Sequence, residues 1–477
     1  MSDTAVNERD GEPELKRVMG PKLLLLFIVG DILGTGVYAL TGSVAGEVGG
    51  AAWAPFLVAF LVATITAFSY LELVTKYPQA AGAALYTHKA FGVHFLTFIV
   101  AFAVMCSGIT SASTASSAFA GFLDDGFGLD TTWSTATRLM VALAFMVLLA
   151  LINFRGASES VKLNVVLTIV EVSGLLLVIV IGFYAIGGGE ADFTEVVMFE
   201  SSEGKNTFVA ISVATALAFF AMVGFEDSVN MAEECHEPEK NFPKMMLAGL
   251  TITGVIYVLV SICAVALVPV GDLTNTDKGS ALVQVVATGA PDLPFDKIFP
   301  FIGMFAVANS ALINMLMASR LLYGMAKQDV LPRFLGKVHP TTRTPYASII
   351  FTTLLALGLI SFVVTQLSED SVTLLGGTTS LLLLGVFTVV NIACLVLRRR
   401  PVDRDHFRAP TLLPYAGAIT CAFLVGPWAR TEEQMDQYTI AGSLLLLGVV
   451  LWALTWSTNR GVRAKPTGFR HPEDLNG

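Results

Sequence analysis

The sequence predicts an all-α integral membrane protein, and three observations carry that prediction. Hydrophobic residues make up 54% of the 477-residue chain and charged residues only 14%, whereas a soluble domain carries about 25% charged residues. Apolar runs of about 20 residues, long enough to span a bilayer, recur along the whole chain. Two of these runs are interrupted by glycine. The twelve runs cover residues 22–46, 53–74, 91–122, 136–154, 163–187, 206–234, 245–270, 298–326, 346–367, 371–397, 410–429 and 438–458.

The positive charges predict how these runs are oriented. The first run has no small-residue cleavage site after a short apolar core, so we interpret it as a retained helix and not as a signal peptide. With the N-terminus inside, alternate loops place 24 of the 29 lysines and arginines on the inner side, as the positive-inside rule requires. We therefore expect a multi-pass protein of the bacterial cytoplasmic membrane with both termini cytoplasmic. The five outer positive residues are Arg138, Lys205, Lys278, Lys297 and Arg430.

The sequence lacks the motifs of several enzymatic and nucleotide-binding activities. The sequence contains no Walker-type phosphate loop, no H-E-x-x-H and no strand-bordered G-x-G-x-x-G. No nucleophile–base pair stands out, and the five scattered cysteines have neither metal-site nor disulfide spacing. We expect no enzyme activity, cofactor, metal or nucleic-acid partner. Any energy coupling is expected to draw on an ion gradient or on exchange across the bilayer.

The first run carries an unusual stretch, V-G-D-I-L-G-T-G-V-Y-A-L, at residues 29–40. Gly30 and Gly34 alone would suit a helix-packing face. The sequence Gly34-Thr35-Gly36 favours instead a helix that breaks near the bilayer midplane, because glycine lowers helix stability. Exposed backbone is tolerated at that depth only where it lines a cavity or a binding site. Secondary transporters use such broken helices to bind their substrates.

A second interrupted run lies five runs later, at F-F-A-M-V-G-F-E-D-S-V-N-M-A-E-E-C, residues 219–235. Gly224 interrupts it, and Glu226 and Asp227 follow. Carboxylates at the start of a half-helix suit its dipole, so both acids have a structural explanation, and a role in the site stays open for Glu226. The spacing predicts two five-helix repeats of opposite orientation. We expect a cytoplasmic tail at 1–21, a ten-helix core at 22–397, two additional helices at 398–458 and a cytoplasmic tail at 459–477.

These residues resemble a known family. G-D-I-L-G-T-G-V-Y is similar to the first-helix motif of the amino acid–polyamine–organocation (APC) transporters, and F-F-A-M-V-G-F-E with A-E-E-C-H-E-P-E-K-N-F-P is similar to their sixth-helix motif. The stretch from Ser319 to Pro345, beginning S-R-L-L-Y-G-M-A-K, resembles their loop after helix eight. The resemblance covers about residues 20–400 and is strongest to the bacterial and cationic amino acid transporter branches.

The resemblance implies an inverted-repeat fold with helices one and six unwound around an amino acid or, in some members, a polyamine. N–H groups opening the second half of helix one favour an anion, which agrees with a substrate carboxylate there. Phe220 resembles an aromatic residue that closes over the substrate, although membrane-helix phenylalanines are usually packing. The substrate is then expected near Ile32, Gly34, Thr35, Gly36, Phe220, Ala221, Val223 and Gly224.

Two acids within the runs are candidate functional groups. Asp31 lies one turn before the first break and is interpreted as an amine ligand, a proton carrier or a cap for exposed backbone. Glu171 stands where several relatives carry a lysine that replaces a sodium ion and takes up the coupled proton. The reversed sign puts the lysine mechanism in doubt, yet a carboxyl group is also a chemically sound proton carrier. Alternatives are a sodium ligand or a permanently neutral acid.

Other polar residues in the runs are weaker candidates. Ser111 on helix three is expected to line the cavity, although serine is also an ordinary packing residue in membranes. Asn309 and Asn314 on helix eight are candidates to face the site, but the sequence does not fix their direction. Glu72, near a helix end, is expected at the membrane interface. The sequence as a whole predicts a secondary amino acid transporter coupled to protons, with sodium coupling, exchange, polyamine or organic-cation transport, and a non-transporting sensor as alternatives.

Overall fold

The computed structural model describes most of the chain between its two termini. The tails predicted at 1–21 and 459–477 lie almost entirely outside the described residues. The backbone alone is described for residues 157–163 and 233–234. The described residues are 19–458, without 80–81, 128–132, 156, 190, 192, 202–205, 276–277, 328–329, 343, 368–369 and 403–404.

The described chain is helical, as predicted, and its only β-type pairing is one isolated bridge between Met19 and Cys235. Short 3-10 or π segments follow several helices and matter below only at Gly49–Ala52, Phe219–Met222 and Asp227–Glu234. The α-helices in chain order are α1 Pro21–Leu33, α2 Thr35–Val48, α3 Trp53–Lys76, α4 Gly82–Phe91, α5 His94–Phe127, α6 Thr135–Arg155, α7 Ala157–Gly188, α8 Phe193–Val197, α9 Thr207–Ala218, α10 Pro238–Leu267, α11 Val270–Leu273, α12 Ala281–Gly289, α13 Phe295–Lys327, α14 Tyr346–Phe362, α15 Ser371–Leu397, α16 Leu412–Val425 and α17 Asp436–Thr458.

Ten helical segments of the described chain are long and apolar enough to cross a membrane. One of them, Pro21–Lys76, is 56 residues long and contains the first two predicted runs. The eleventh predicted run forms the shorter apolar helix Leu412–Val425. Each of the twelve predicted runs therefore contains helix, and the described segments of spanning length number ten.

The long helices α5 and α13 pack along each other and form the axis of the fold. Helix α15 packs on α5 from another side, while α1 and α3 pack against α10. The interior is apolar and aromatic: the ring of Tyr38 stacks on Phe299 with centroids 6.0 Å apart and meets the edge of Phe122 at 6.3 Å. All five cysteines are free and buried in this core.

A line of polar side chains on α3 faces α15. Positions 69, 72 and 76 recur at helical spacing and so share one face. Ser69 donates to Asn391 Oδ1 at 2.6 Å, and Lys76 Nζ donates to backbone carbonyls at the end of α15. Glu72, expected at the membrane interface, is instead 2% exposed and holds Arg398 through bonds of 2.8 and 2.5 Å. These contacts fasten α3 to α15 at the predicted inner side.

Candidate functional site

The first helix breaks where the sequence predicted. Helix α1 ends at Leu33, Gly34 has φ −29° and ψ −140°, and α2 begins one residue later. A Cβ at Gly34 would collide with the hydroxyl of Ser310 on α13. The Ser310 hydroxyl accepts a hydrogen bond from the backbone N–H of Thr35 at 3.1 Å. Glycine at this position thus lets the break approach α13 closely enough for a neighbouring helix to satisfy one of its backbone donors.

The second break follows α9, as predicted. A 3-10 turn at Phe219–Met222 leads to extended backbone at Val223, and Gly224 has φ +120°, a conformation that side chains disfavour. The Glu226 carboxylate accepts the Gly224 N–H at 2.9 Å. The chain then continues as a 3-10 helix, Asp227–Glu234, and not as the α-helical half expected from the sequence. The carboxylate of Glu226 therefore satisfies a backbone donor at the break.

The two breaks face each other. A Cβ at Gly224 would lie 2.7 Å from the backbone oxygen of Asp31, and a Cβ at Gly36 would collide with the Cα of Ala221. Tyr257 on α10 donates to the carbonyl of Ile32 at 2.5 Å. Only residues without side chains permit this approach of one backbone to another. The glycines that interrupt the sequence are the ones that bring the two broken helices together.

A small cavity of about 20 Å³ lies between the breaks, which is room for about one water molecule. Nine of the ten predicted substrate-binding residues line it. Ala221 is the exception, because its backbone packs against Gly36 beneath the cavity wall. Asn314, which the sequence allowed to face the site, also lines it. The sequence prediction did not include Asp227 or Ser310, although Ser310 and Asn314 have the i, i+4 spacing of one face of α13. The lining residues are Asp31, Ile32, Gly34, Thr35, Gly36, Ser111, Phe220, Val223, Gly224, Asp227, Ser310 and Asn314.

Two polar atoms in the cavity wall have no hydrogen-bond partner among the described residues. They are Oδ2 of Asp31 and the hydroxyl oxygen of Thr35, on side chains that are 6% and 2% exposed. A buried polar group without a partner costs about 1–3 kcal/mol. The carboxylate oxygen of Asp31 accepts a hydrogen bond, and the hydroxyl group of Thr35 can donate one. The cavity thus offers complementary contacts to a ligand that has both an acidic and a basic group.

Glu171 lies apart from the cavity, on α7 behind α1. Its side chain is fully buried, and its Oε2 accepts a long bond of 3.4 Å from Asn309 Nδ2. Asn309 also contacts Thr168 and accepts a bond of 3.1 Å from Asn164. Glu171 Oε1 has no partner among the described residues. The structure therefore joins Glu171 and Asn309 in one polar cluster and leaves only Asp31, of the two predicted coupling acids, in the cavity wall.

A second, smaller cavity of about 10 Å³ adjoins the first. Val223, Asp227 and Asn314 line both, so the two spaces meet at these residues. Glu226, a predicted additional site residue, lines only the second cavity. Helix α5 contributes one wall and the later turns of α13 another. Given the predicted orientation, this second space lies on the inner side of the first.

Contacts at the opposite end connect α2 to later helices. Ser43 and Thr373 share a hydrogen bond of 2.8 Å between their hydroxyl oxygens. Gln434 donates to Glu47 at 3.2 Å. A Cβ at position 376 of α15 would lie 3.4 Å from the ring of Phe220. Phe220 thus packs between the cavity and α15, on the side where α2 is fastened.

Comparisons with known proteins agree with these features. A family model described as amino acid permease matches residues 21–452. The methylthioribose transporter of Bacillus subtilis is 26% identical over 430 residues, 86% of this chain and 88% of the relative. The branched-chain amino acid permease BcaP of the same species is 27% identical over 464 residues, 93% of this chain and 94% of the relative. The vacuolar cationic amino acid transporter 4 of Arabidopsis thaliana is 29% identical over 424 residues, 83% of this chain and 66% of the relative.

Proposed function

The chain belongs to the amino acid permease family, and we propose that it is a secondary active transporter of amino acids. The observation that carries the proposal is the pair of facing helix breaks with one unpartnered acceptor, Asp31 Oδ2, and one unpartnered hydroxyl, Thr35 Oγ1. A zwitterion satisfies both groups at once: its ammonium donates to Asp31, and its carboxylate accepts from Thr35. The relatives support the substrate class, since one is named as a branched-chain and another as a cationic amino acid transporter.

The carboxylate end of the substrate is bound at the start of α2 in this proposal. The N–H groups that open a helix have no intrahelical partners and favour an anion. Since Ser310 already accepts from the N–H of Thr35, the N–H of Gly36 and the Thr35 hydroxyl are the donors assigned to the carboxylate. The carbonyls that end the 3-10 turn before Val223, together with Asp31, are assigned to the ammonium. Phe220 forms the lid on the side of α15.

We propose that the protein works by alternating access around this cavity and that its chain crosses the membrane twelve times. A helix of 56 residues would be about 84 Å long if straight, far more than the ~30 Å hydrocarbon core. The Gly49–Ala52 turn, where Gly49 has φ +68°, is assigned as the reversal between the first two crossings. The core at 22–397 then forms two five-helix repeats of opposite orientation, followed by two additional helices at 398–458. Both tails, 1–21 and 459–477, are cytoplasmic.

Proton symport is the proposed coupling, through Glu171 and Asp31. Glu171 is completely buried and has a free carboxyl oxygen. A charge without a partner is strongly disfavoured there, which supports a carboxyl group that takes up a proton and is then neutral. Asp31 lines the cavity, so its carboxyl group is the coupling acid beside the substrate. The alternatives are sodium coupling at the same cluster and amino acid exchange without a coupled ion.

Transport of a polyamine or another organic cation is the second candidate function. It is favoured by Asp31, Glu226 and Asp227, since no lysine, arginine or histidine among the described residues lines either cavity. A polyamine has no carboxylate, however, and would leave the Thr35 hydroxyl without its expected partner. The amino acid therefore remains the first choice.

Uptake into proteoliposomes tests the proposal. A panel of labelled amino acids and their decarboxylated amines is offered with an imposed proton gradient, an imposed sodium gradient or no gradient. We expect saturable uptake of amino acids that is driven by the proton gradient, and no uptake of the amines. Uptake of amines but not amino acids would establish the organic-cation function instead. Absence of uptake and of counterflow for every compound would reject transport.

A further inference from the structure

Positive side chains without acidic partners gather at the end of the bundle where α4 and α15 end. Among the described residues, no carboxylate forms an ion pair with any of them, whereas Arg398 beside them is neutralised by Glu72. In the segment that follows, Asp405 and Arg408 are both exposed and offset each other in charge. We call the cations at the two helix ends the basic cluster; they are Lys89, Arg399 and Arg400.

Two members of the basic cluster are held in fixed positions relative to each other. Arg400 Nη1 donates to the backbone carbonyl of Lys89 at 2.6 Å. Lys89 Nζ lies 4.8 Å from the centre of the Tyr77 ring, an attractive arrangement for a cation. Lys76 Nζ donates to the carbonyl of Arg400 at 2.6 Å and so fixes the end of α15 from the other side. An anion that binds between Lys89 and Arg400 would meet cations that are already in place.

An exposed aromatic surface adjoins the basic cluster. Only Gly92 and Val93 separate α4 from α5, so Phe95 in the first turn of α5 lies close to the last turn of α4. The ring of Phe95 meets the edge of Trp452 on α17 with centroids 5.1 Å apart, and Trp452 stacks on Trp456 at 5.5 Å. Phe95 is 40% exposed and Trp456 42% exposed. Tryptophan is enriched where membrane helices reach the headgroups of the lipid, which places this surface beside the acyl chains.

A cation cluster beside an aromatic surface matches the two parts of an anionic phospholipid. A guanidinium donates charge-assisted hydrogen bonds to phosphate oxygens, and basic residues next to membrane helices attract anionic headgroups. The exposed rings of Phe95 and Trp456 offer apolar surface to an acyl chain. A small soluble anion would contact the cations and leave the aromatic surface unused.

Helix α4 connects the basic cluster to the second helix break. Lys89 lies in the last turn of α4, whereas Gly82 lies at its first residue, where a Cβ would be 2.9 Å from Asn230 Oδ1 in the 3-10 helix Asp227–Glu234. Between them, the ring of Tyr86 meets the edge of Tyr70 with centroids 6.1 Å apart. A ligand at the end of α4 thus binds to a helix that packs against the second break.

We propose that the basic cluster and the aromatic surface bind one anionic phospholipid. Its phosphate lies at Lys89 and Arg400, and one acyl chain lies along Phe95 and Trp456. The bound lipid stabilises α4 against the 3-10 helix that follows the second break. The site goes beyond the proposed function, and its occupancy is measured without any transport assay.

Tryptophan fluorescence tests the site, because Trp452 and Trp456 lie within it. The protein is reconstituted in vesicles of phosphatidylcholine that contain phosphatidylglycerol with brominated acyl chains, which quench tryptophan, and is compared with brominated phosphatidylcholine. Two cations at a site predict a preference for phosphatidylglycerol of roughly 25-fold. The excess quenching should disappear in Trp452→Phe/Trp456→Phe. Equal quenching by the two lipids, or an excess that persists without these two tryptophans, would overturn the proposal.

Variants of the cations test which side chains bind the headgroup. Arg400→Gln is expected to lower the preference about fivefold, and Lys89→Gln/Arg400→Gln to bring it close to one. Arg400→Lys retains the charge and should retain most of the preference. Lys22→Gln/Lys337→Gln removes the same charge from two exposed lysines elsewhere and should change nothing. An equal loss in this control, or an unchanged preference in folded Arg400→Gln, would contradict the assignment.

Two further measurements separate a lipid from a soluble anion and test the effect on α4. Inorganic phosphate, compared with chloride at the same ionic strength, should leave the quenching by phosphatidylglycerol unchanged; its loss would assign a soluble anion to the cluster instead. Hydrogen exchange of the backbone amides of α4 should be several-fold slower with phosphatidylglycerol than with phosphatidylcholine alone, and Lys89→Gln/Arg400→Gln should remove the difference. Equal exchange rates of the wild-type protein in both lipids would overturn the stabilisation of α4.

Discussion

The hydroxyl of Ser310 on α13 lies 3.1 Å from the backbone nitrogen of Thr35 and accepts its hydrogen bond. One of the first donors of α2 is thus fixed to a different helix before any substrate binds. The bond crosses 275 positions of sequence and holds the break at Gly34 against the long helix beside it. It preorganises the remaining donors of α2 toward the cavity.

Removal of this bond is predicted to weaken substrate binding. A hydrogen bond contributes about 1 kcal/mol net, so Ser310→Ala should raise KM for uptake about fivefold with little change in protein yield. Ser443→Ala, which removes an exposed hydroxyl bonded within α17, is the matched control and should leave KM unchanged. A lower KM in Ser310→Ala would mean that the substrate competes with Ser310 for the Thr35 N–H.

Gly36 is predicted to tolerate no side chain. In Gly36→Ala the Cβ would collide with the backbone of Ala221, which forces the two breaks apart. We expect a loss of uptake between about fivefold and a hundredfold from a distortion of about 1–3 kcal/mol. Gly385→Ala, at a helical glycine with open space around it, should keep uptake and stability. Normal uptake in Gly36→Ala would show that the breaks need not touch.

The Glu171 cluster is predicted to carry the coupled proton. Glu171→Gln keeps the size and the contact with Asn309 but cannot exchange a proton. Uptake driven by a proton gradient should disappear, whereas counterflow exchange of substrate should persist. Asp31→Asn is measured in parallel and is expected to weaken exchange as well, because Asp31 lines the cavity. An equal response to the gradient in wild type and Glu171→Gln would reject the role of Glu171.

A disulfide between α2 and α15 is predicted to stop the transport cycle. The hydroxyl oxygens of Ser43 and Thr373 are 2.8 Å apart, so a small side-chain adjustment would bring sulfur atoms at these positions to the ~2.05 Å of a disulfide bond. The double variant Ser43→Cys/Thr373→Cys should lose uptake on oxidation and recover it on reduction. Each single variant serves as a control, and the five native cysteines are buried. Undiminished uptake by the fully cross-linked protein would show that these helices do not separate.

The pair of Glu72 and Arg398 is predicted to stabilise the fold. Both side chains are largely buried, with relative exposures of 2% and 11%. Removal of one partner leaves the other charge buried without compensation, so Glu72→Gln should cost about 3–5 kcal/mol. The joint replacement Glu72→Met/Arg398→Met should cost less. Thermal unfolding in detergent measures both, and a Tm of Glu72→Gln equal to that of wild type would contradict the prediction.

The sequence predicted much of the site because close contacts between two backbones require a particular residue type. A close approach of two helices requires glycine, and glycine is visible in the sequence, so Gly34, Gly36 and Gly224 could be assigned to the breaks. The residues next to these glycines could be predicted as well, because they adjoin the breaks along the chain. Ser310 and Asn314 could not be chosen with equal ease, because serine and asparagine on a membrane helix carry no mark of direction.

Charged residues show where such reasoning ends. Glu171 and Asp31 are both anomalous in an apolar run, yet only Asp31 lines the cavity, since α7 passes behind α1. Glu72 was expected at the interface because it lies near a helix end. Its partner, Arg398, is more than 300 positions away in the chain and could not be identified from the sequence. Asp227 was predicted mainly to stabilise a helix end. Its position between two cavities follows from how three helices pack and not from the local sequence.

The sequence by itself determined that this chain forms membrane helices and where two of them break, because hydrophobic length and glycine act locally. Tertiary structure alone decided which polar atoms meet. The contacts of Thr35 with Ser310, of Glu171 with Asn309 and of Glu72 with Arg398 join distant segments, and their geometry follows from how whole helices pack. Burial then determines their chemistry, because a polar group removed from water depends on the partner that packing brings to it.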